Sequence, residues 1–473
     1  MDTVIDTVLY ILKFVYCIVM VLLLFNLTIF VHEFGHYLLA RWRKLQVDEF
    51  SIWFGPAIWQ KRVGGVLFSL RSIPLGGYVK LPQLQPDDPI EGKSETPKEQ
   101  LPPVRPIDKI PTLFAGSFFN FLFAFLIACL LWIIGIPVDK SFTDTTIGYV
   151  PEKSAEAEAG LRIGDKIVSI NGNAVRDWMD IKAETALATT SALSVSVLRD
   201  HKTEVLYFQP AKNMLGIREL QSESRQGVVV GRVIDGTPAS RAALKIDDRI
   251  LSVNGIELLS ADHLASIVAP RAGKECAVVL DRNGHRMTLT VTPVLDPDAR
   301  RGKIGIGFKI SEADTVLIHP NPIKQITEVL LRMAQIINAI FHHKETGIGV
   351  KDLAGPIGIV DQLYQMVAVD IRHALYFLVL LNVNLAILNL LPLPVLDGGH
   401  IMFTFLEWIR RKPLNHKLME AIQMAFVILL LAFVVYVSFN DVKRWRLMHG
   451  FGPKLEASPA GQNSAPTDPI ERK

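Results

Sequence analysis

An apolar run over residues 8–39 is the strongest constraint on the fold of this chain, because its length suits a helix that spans a bilayer. The string "VHEFGH" near its end places His32, Glu33 and His36 where ionisable groups are costly. On a helix the two histidines share one face, and H-E-x-x-H is typical of a zinc site whose glutamate is a general base. Histidines that merely pack between helices are the alternative.

The composition favours a membrane protein that also carries polar domains. Hydrophobic residues make up 49% and charged residues 21% of the 473 residues, so the chain is too apolar for an average soluble protein and too charged to lie wholly in a membrane. A net charge of +3 indicates no nucleic-acid partner. The three cysteines predict neither a disulfide framework nor a thiolate metal site.

Four apolar runs approach the roughly 20 residues that a spanning helix needs, which predicts a polytopic α-helical membrane protein with four transmembrane helices. The runs cover residues 8–39, 113–136, 374–391 and 421–439. We expect Pro392 and Pro394 to break the end of the third run. Basic residues after the first run and before the fourth predict that these two ends face the cytoplasm.

A duplicated segment follows the second run. The string "IGYVPEKSAEAEAGLRIGDKIVSINGNAV" aligns without gaps with "VGRVIDGTPASRAALKIDDRILSVNGIEL", and the alignment pairs Asp165 with Asp248. The pattern L-x-x-G-D-x-I-x-x-I-N-G resembles PDZ domains of the bacterial, circularly permuted type, which bind peptides by adding a strand to a sheet edge. We expect either capture of a peptide C-terminus in the groove beside Gly148 or Gly231, or two rigid spacers with closed or unused grooves.

Two more segments carry predicted structure. Residues 49–80 are rich in aromatic and β-branched residues and contain Gly-Pro and Gly-Gly pairs, which predicts short strands and hairpins. Residues 81–106 predict a loose proline-rich loop, and the tail from Ala457 predicts disorder. Apolar residues at three- and four-residue steps within 321–343 predict an amphipathic helix on the outer membrane face, which either transmits movement of the outer domains or covers the core.

The predicted metal site needs a third ligand, because a catalytic zinc keeps three protein ligands and one open position. The candidate is Asp397 in "PVLDGGH", where Gly398 and Gly399 allow the backbone to turn sharply toward the metal. Two alternatives stay open at this point. Asp397 caps the following helix, or His400 is the ligand.

The two motifs together resemble one family. H-E-F-G-H in the first run, combined with "NLLPLPVLDGG" near the third, is similar to the site-2 protease family of intramembrane zinc metalloproteases, along nearly the whole chain. The resemblance implies Zn2+ ligation by His32, His36 and Asp397, with Glu33 as the catalytic base. It also implies a membrane-associated β-hairpin region and two tandem periplasmic PDZ domains.

The resemblance further implies substrate handling by Asn384, Asn389, Pro392 and Pro394. Asparagines that hydrogen-bond between helices are the alternative for the first two. One departure from the family is visible, because Ser117 stands where the family usually has proline. We expect this difference to alter a helix start and to leave the chemistry untouched.

The resemblance implies regulated intramembrane proteolysis of single-pass membrane proteins in a bacterial inner membrane. Its partners are the lipid bilayer and an anti-sigma factor already cut in the periplasm, with remnant signal peptides as further substrates, and its active site lies toward the cytoplasm. A membrane-anchored zinc protease for soluble or unfolded chains, and a non-catalytic PDZ scaffold, are the other two classes. The predicted division is 1–43 first span, 44–110 hairpin region and loop, 111–137 second span, 138–220 and 221–311 PDZ domains, 319–345 amphipathic helix, 368–400 third span, 401–418 cytoplasmic loop, 419–440 fourth span and 441–473 tail.

Overall fold

The computed structural model describes residues 2–84, 101–102, 104–213, 216–296, 301–309, 315–412 and 414–448. The predicted tail from Ala457 and most of the predicted loop 81–106 lie outside the described residues. The helices of the described part of the chain are α1 Asp2–Trp42, α2 Pro106–Ile134, α3 Ala155–Glu158, α4 Trp178–Leu187, α5 Pro238–Arg241, α6 Ala261–Val268, α7 Pro322–Phe341, α8 His343–Thr346, α9 Pro356–Val369, α10 Ile371–Asn389, α11 Asp397–Arg410 and α12 His416–Met448.

Four of these helices, α1, α2, α10 and α12, are long and apolar enough to cross a membrane. Each overlaps one of the four predicted runs. Helix α10 ends at Asn389, before Pro392 and Pro394, so the predicted break is confirmed. Large apolar side chains are exposed along α1 and α12, among them Tyr10 at 73% and Val435 at 68%, as expected of surfaces that face lipid.

The membrane core forms where α1, α2 and α10 pack together, with α7 and α9 against them. Its most deeply buried side chains include Cys17, Leu131, Leu363 and Leu378. Helix α7 confirms the predicted amphipathic helix, because it buries Ile326 and Val329 on one side. Helix α9 was not predicted, since its 14 residues are too few to span a bilayer and give no separate apolar run.

The strands of the described residues are β1 Glu49–Val63, β2 Val66–Lys80, β3 Ile136–Asp139, β4 Ile147–Tyr149, β5 Lys166–Ile170, β6 Asn173–Ala174, β7 Leu193–Arg199, β8 Lys202–Phe208, β9 Ala211–Lys212, β10 Arg218–Glu219, β11 Glu223–Ser224, β12 Val228–Val233, β13 Arg249–Val253, β14 Ile256–Glu257, β15 Cys276–Arg282, β16 His285–Val291, β17 Val294–Asp296, β18 Arg301–Lys303, β19 Ile306–Lys309 and β20 Thr315–Ile318. Strands β1 and β2 pack against α1. The others build an outer region between α2 and α7.

Strands β1 and β2 form one long antiparallel hairpin. The sequence predicted short strands and hairpins. The hairpin turns at Gly64 and Gly65 and also folds back on itself in the middle of each strand, which places four short stretches side by side in the order 59–62, 67–70, 49–52 and 77–80. This arrangement agrees with the prediction. The Gly-Pro pair at Gly55 and the Gly-Gly pair at Gly76 lie inside the strands, where the register is irregular. Residues 49–52 pair with 77–80 and also lie beside 67–70, which leaves 77–80 at an edge of the hairpin.

The outer region contains two domains of the same build. The first has a sheet ordered β6-β5-β7-β8, and the second has one ordered β16-β15-β13-β12-β19, with β14 beside β13. Strand β3, directly after α2, pairs with β20, directly before α7. This pair closes the outer region where it joins the membrane helices.

The same internal ion pair occurs in both outer domains, 83 residues apart. Arg199 donates to both carboxylate oxygens of Asp165, at 2.7 and 2.6 Å. Arg282 donates to both oxygens of Asp248, at 2.6 Å each. Burial alone raises the pKa of Asp248, but the hydrogen bonds from Arg282 and the Lys245 backbone, together with the charges of both residues, hold that pKa below its ordinary value. The duplication inferred from the sequence is therefore confirmed.

The sheet edges beside Gly148 and Gly231 are filled by strands of the chain itself. Gly148 lies in β4, which pairs with β11, and a Cβ on it would meet Arg225 Cα at 2.5 Å. Gly231 lies in β12, which pairs with β19, and a Cβ on it would meet Lys309 Cβ at 2.7 Å. The two edges at which peptide capture was one expectation are therefore already paired within the chain, as the alternative of closed grooves expects.

Candidate metal centre

Two helices bring the predicted ligands together. Helix α1 carries His32 and His36 one turn apart, and Asp397 is the first residue of α11. The Nε2 atoms of His32 and His36 lie 3.2 Å apart, and each lies 3.4 Å from Asp397 Oδ2. The two imidazole planes are nearly perpendicular, at 84°. The three side chains are each about nine-tenths buried, with exposures of 10–12%.

These three atoms fit a tetrahedral zinc. Ligands about 2.0–2.1 Å from a zinc at tetrahedral angles lie about 3.3–3.4 Å from one another, which agrees with the observed separations of 3.2 to 3.4 Å. Asp397 Oδ2 is buried and has no hydrogen-bond partner of good geometry among the described residues. A buried carboxylate oxygen in this condition is costly unless a cation or a donor satisfies it.

Position favours Asp397 over both alternatives. The N-cap residue of α11 is Leu396, and Asp397 is the first residue inside the helix. His400 lines the same cavity, but the cluster of ligand atoms found within 4.8 Å among the described residues consists of His32, His36 and Asp397.

The glycines after Asp397 act differently from the prediction. Both Gly398 and Gly399 lie in the first turn of α11. A Cβ on Gly398 would lie 2.3 Å from Leu390 O, and one on Gly399 would lie 2.0 Å from Leu393 O. These glycines therefore allow the start of α11 to pack onto the preceding turn, which fixes the position of Asp397.

Helix α2 supplies contacts that the sequence analysis missed. His36 Nδ1 lies 2.8 Å from the carbonyl oxygen of Thr112, and the side-chain amide of Asn120 lies 3.3 Å from His32 Nδ1. Between them, Gly116 approaches so closely that a Cβ would lie 2.2 Å from His36 Nε2 and 2.7 Å from His32 Cε1. The sequence signal that could have identified these contacts is the spacing of Gly116 and Asn120, a small and a polar residue four positions apart in an apolar helix.

Ser117 lies well inside α2, which begins at Pro106. The expectation that this serine alters a helix start is therefore wrong. Its side chain is 1% exposed, and its Oγ has no hydrogen-bond partner within the part of the chain that the structure describes.

A cavity of about 190 Å3 opens onto the cluster. Glu33, Asn389 and Val79 line it together with the three predicted ligands. The Nδ2 atom of Asn389 lies 3.4 Å from His32 Nε2. Gly77, on the edge of β2, lies so close to Glu33 that a Cβ would meet Glu33 Cγ at 3.5 Å. The cavity therefore joins a candidate base, a candidate metal site and a strand edge.

A buried carboxylate holds the strands beside the cavity in register. Glu49 Oε1 accepts from Ser69 Oγ at 2.5 Å and from Arg71 Nη2 at 2.6 Å, which ties β1 to β2. Burial, together with the Glu49 charge, raises the pKa of Tyr78 to about 12, so this phenol stays neutral. Glu49 also forms an ion pair with Lys80 at 3.7 Å, so this carboxylate links the 77–80 edge to the rest of the hairpin.

The four predicted substrate-handling residues occupy different places. Asn389 lines the cavity. Asn384 lies earlier on α10, outside that lining, and its Oδ1 is buried without a partner among the described residues. Pro392 and Pro394 lie in the turn between α10 and α11, onto which Gly399 packs. Geometry therefore supports a direct role for Asn389 and a turn-forming role for the prolines.

Four helices that can span a membrane and a buried His-His-Asp cluster beside them define a candidate metalloenzyme embedded in a membrane. The family described as Peptidase family M50 matches residues 18–433. Because this match spans most of the chain, the protein belongs to peptidase family M50.

The protein is similar to Regulator of sigma-E protease RseP of Escherichia coli, at 28% identity over 465 residues, covering 92% of this chain and 100% of the relative. It is also similar to a Neisseria meningitidis protein with a provisional assignment as a zinc metalloprotease, at 30% identity over 442 residues, covering 87% of this chain and 96% of the relative. A solved PDZ domain of an SdrC-like protein from Listeria monocytogenes matches 18% of this chain and 90% of its own, at 20% identity and a TM-score of 0.17.

Proposed function

We propose that this protein is an intramembrane zinc endopeptidase that cuts single-pass membrane proteins by regulated intramembrane proteolysis. The observation that carries the proposal is the buried cluster of His32, His36 and Asp397 next to Glu33, beside helices that can span a membrane. These three residues would hold Zn2+. Three protein ligands leave one position open, which is the pattern of catalytic zinc sites.

Glu33 is the proposed general base. When bound, Zn2+ lowers the pKa of a coordinated water toward ~7 and polarises the carbonyl of the peptide bond. Glu33 takes one proton from the attacking water, while the hydroxyl adds to the carbonyl carbon. Glu33 then gives that proton to the leaving nitrogen as the C–N bond breaks. The products are two shortened chains, and no covalent intermediate with the enzyme forms.

The β2 edge and Asn389 are proposed to present the substrate. A membrane helix hides its carbonyls in i→i−4 hydrogen bonds, so the segment to be cut must first become extended. Val79 lines the cavity, and residues 77–80 pair with 49–52 on one side. An added substrate strand on the other side would hold the extended form. The Asn389 amide, 3.4 Å from His32 Nε2, is near enough to hydrogen-bond the same backbone.

We further propose that the two outer domains are periplasmic PDZ domains that restrict access to the cavity, which faces the cytoplasmic side of a bacterial inner membrane. The β3–β20 pair supports this placement, because it anchors the outer domains directly to α2 and α7. The filled edges beside Gly148 and Gly231 favour obstruction over peptide capture at those edges.

The proposed substrates are anti-sigma factors after a first periplasmic cut and, in addition, remnant signal peptides. The similarity to a protein named regulator of sigma-E protease along nearly the whole chain supports a place in the sigma-E envelope stress response. No sequence feature points to a nucleic-acid partner.

Two variants of the full chain in detergent test the proposal. Asp397→Ala removes a ligand, so zinc content and cleavage of a model membrane helix should fall together. Glu33→Gln keeps all three ligands, so zinc content should stay while turnover falls roughly 10²–10⁴-fold. Zinc per protein and cleavage rate are measured on the same samples.

Full zinc occupancy with normal cleavage in the Asp397 variant would overturn the assigned ligand set. Wild-type protein that cuts soluble unfolded chains faster than membrane helices would favour the membrane-anchored protease instead. Zinc-loaded wild-type protein that cuts neither substrate would favour a scaffold.

A further inference from the structure

One face of α2 runs along the Nδ1 edges of both candidate zinc ligands. Thr112, Gly116 and Asn120 follow at four-residue steps, so they lie close to one line on the helix. Thr112 and Asn120 contact His36 and His32, at 2.8 and 3.3 Å, and Gly116 leaves room for the two rings between them. All three residues of α2 are buried.

The contact with Thr112 fixes the proton of His36. A backbone carbonyl can only accept, so the Nδ1 of His36 must donate to it. In a neutral imidazole the other nitrogen, Nε2, then carries a lone pair. That lone pair is what a metal ligand requires, and Nε2 is the atom that faces Asp397 at 3.4 Å.

His32 needs the same arrangement, because its Nε2 also lies 3.4 Å from Asp397. Its Nδ1 must therefore carry the proton and needs an acceptor. The atom of Asn120 placed nearest is Nδ2, which is a donor, and the Oδ1 of this fully buried side chain has no partner among the described residues. The two ends of an amide have almost the same shape, so hydrogen bonding decides which one faces the ring.

We infer that Asn120 is a positioning residue whose side-chain oxygen accepts from His32 Nδ1–H and thereby aims the His32 Nε2 lone pair at the metal position. This inference rests on the proposed zinc site. Asn120 lies behind the imidazole and does not line the cavity, so it acts through His32 and not on the substrate. Outer-shell partners of this kind typically change metal affinity about 10–100-fold.

The test compares two substitutions at this position in the full-length protein. Asn120→Leu keeps approximate bulk and removes the acceptor, so the zinc dissociation constant measured by chelator competition should rise roughly 10–100-fold. Asn120→Asp keeps an acceptor oxygen, so its zinc dissociation constant should stay within about threefold of wild type. If the amide instead acted as a donor, Asn120→Asp would bind zinc more weakly than Asn120→Leu.

The matched control lies on the same helix. Ser117→Ala removes a buried hydroxyl that has no partner among the described residues. Zinc affinity should be unchanged in this variant. Thermal unfolding in detergent shows whether each variant is folded.

A second readout separates positioning from general damage. If Asn120→Leu weakens only metal binding, its cleavage activity should return toward wild type as free zinc is raised. Unchanged zinc affinity in this variant, equal losses in the Leu and Asp variants, or activity that excess zinc does not restore would each overturn the inference. If Asp397→Ala keeps its zinc in the same assay, the proposed zinc site itself is wrong. This result distinguishes a failure of the zinc site from a failure of the role inferred for Asn120.

Discussion

Replacing Gly116 by alanine should disable the candidate metal centre through one added carbon atom. Its Cβ would lie 2.2 Å from His36 Nε2, whereas nine in ten real Cβ contacts are 3.4 Å or longer, so that nitrogen must move by about 1.2 Å. Helices α1 and α2 pack closely at this level, since a Cβ on Gly35 would meet Ala115 O at 2.7 Å, so moving α2 away from α1 would break that packing.

A shift of that size exceeds the roughly 0.2 Å tolerance of a zinc–ligand distance. We therefore expect Gly116→Ala to lose most of its zinc, and its cleavage rate to fall about 10²-fold or more, the usual effect of misplacing a catalytic group by ~1 Å. Zinc per protein and cleavage of a model membrane helix are measured on the same purified sample.

The matched control is Gly349→Ala. No atom lies within 4 Å of a Cβ at this position, and its φ of −134° is one that alanine adopts. The control should keep zinc and activity. A Gly116 variant with full zinc and a cleavage rate within about threefold of wild type would refute the reasoning, because the imidazoles would then tolerate the displacement.

Three further outcomes are expected. Asn389→Leu should slow cleavage of an intact membrane helix more than cleavage of one with Gly or Pro near the cut, and equal losses on both would assign Asn389 to structure. Deleting residues 145–310 should let the protein cut substrates whose outer domains are untrimmed. If these substrates stay uncut, the proposal that the outer domains restrict access to the cavity is wrong. Burial, and then the neighbouring Asp262 carboxyl, raise the pKa of Glu223 to about 7, above roughly 4.3 in an unfolded chain. The folded state then binds more protons between these two values, so stability near Glu223 falls as pH rises from about 4.3 to 7. Glu223→Gln should remove that loss of stability. Hydrogen exchange at residues 223–224 and in α6 should then match wild type at pH ~5 and be slower than wild type at pH ~8. A ratio of variant to wild-type exchange rates that is the same at both pH values would contradict this prediction.

The sequence by itself determined what depends on local patterns. Helical periodicity alone places His32 and His36 on one face with Glu33 beside them. Apolar length defines the four long helices, proline ends α10 before Pro392, and the alternation of apolar and polar residues defines α7. The duplication also needs no tertiary information, because it is a comparison of the chain with itself.

The tertiary structure decided which distant segments meet. His36 contacts Thr112, which is 76 residues away, and nothing in the letters around either residue encodes that meeting. Asp397 lies in the cluster with His32 and His36, and the close packing of Gly398 and Gly399 onto the preceding turn places it there. No local pattern reports such a contact.

The structure also decided features that leave almost no mark on sequence. The acceptor for His36 is a backbone carbonyl, which every residue type carries, so Thr112 could not be singled out from its letter. The sequence does not decide whether the edges beside Gly148 and Gly231 are open or filled, and in the structure β11 and β19 pair there. Those strands reach the edges through chain folding, since strand pairing depends on hydrogen bonds between segments and not on the composition of either one.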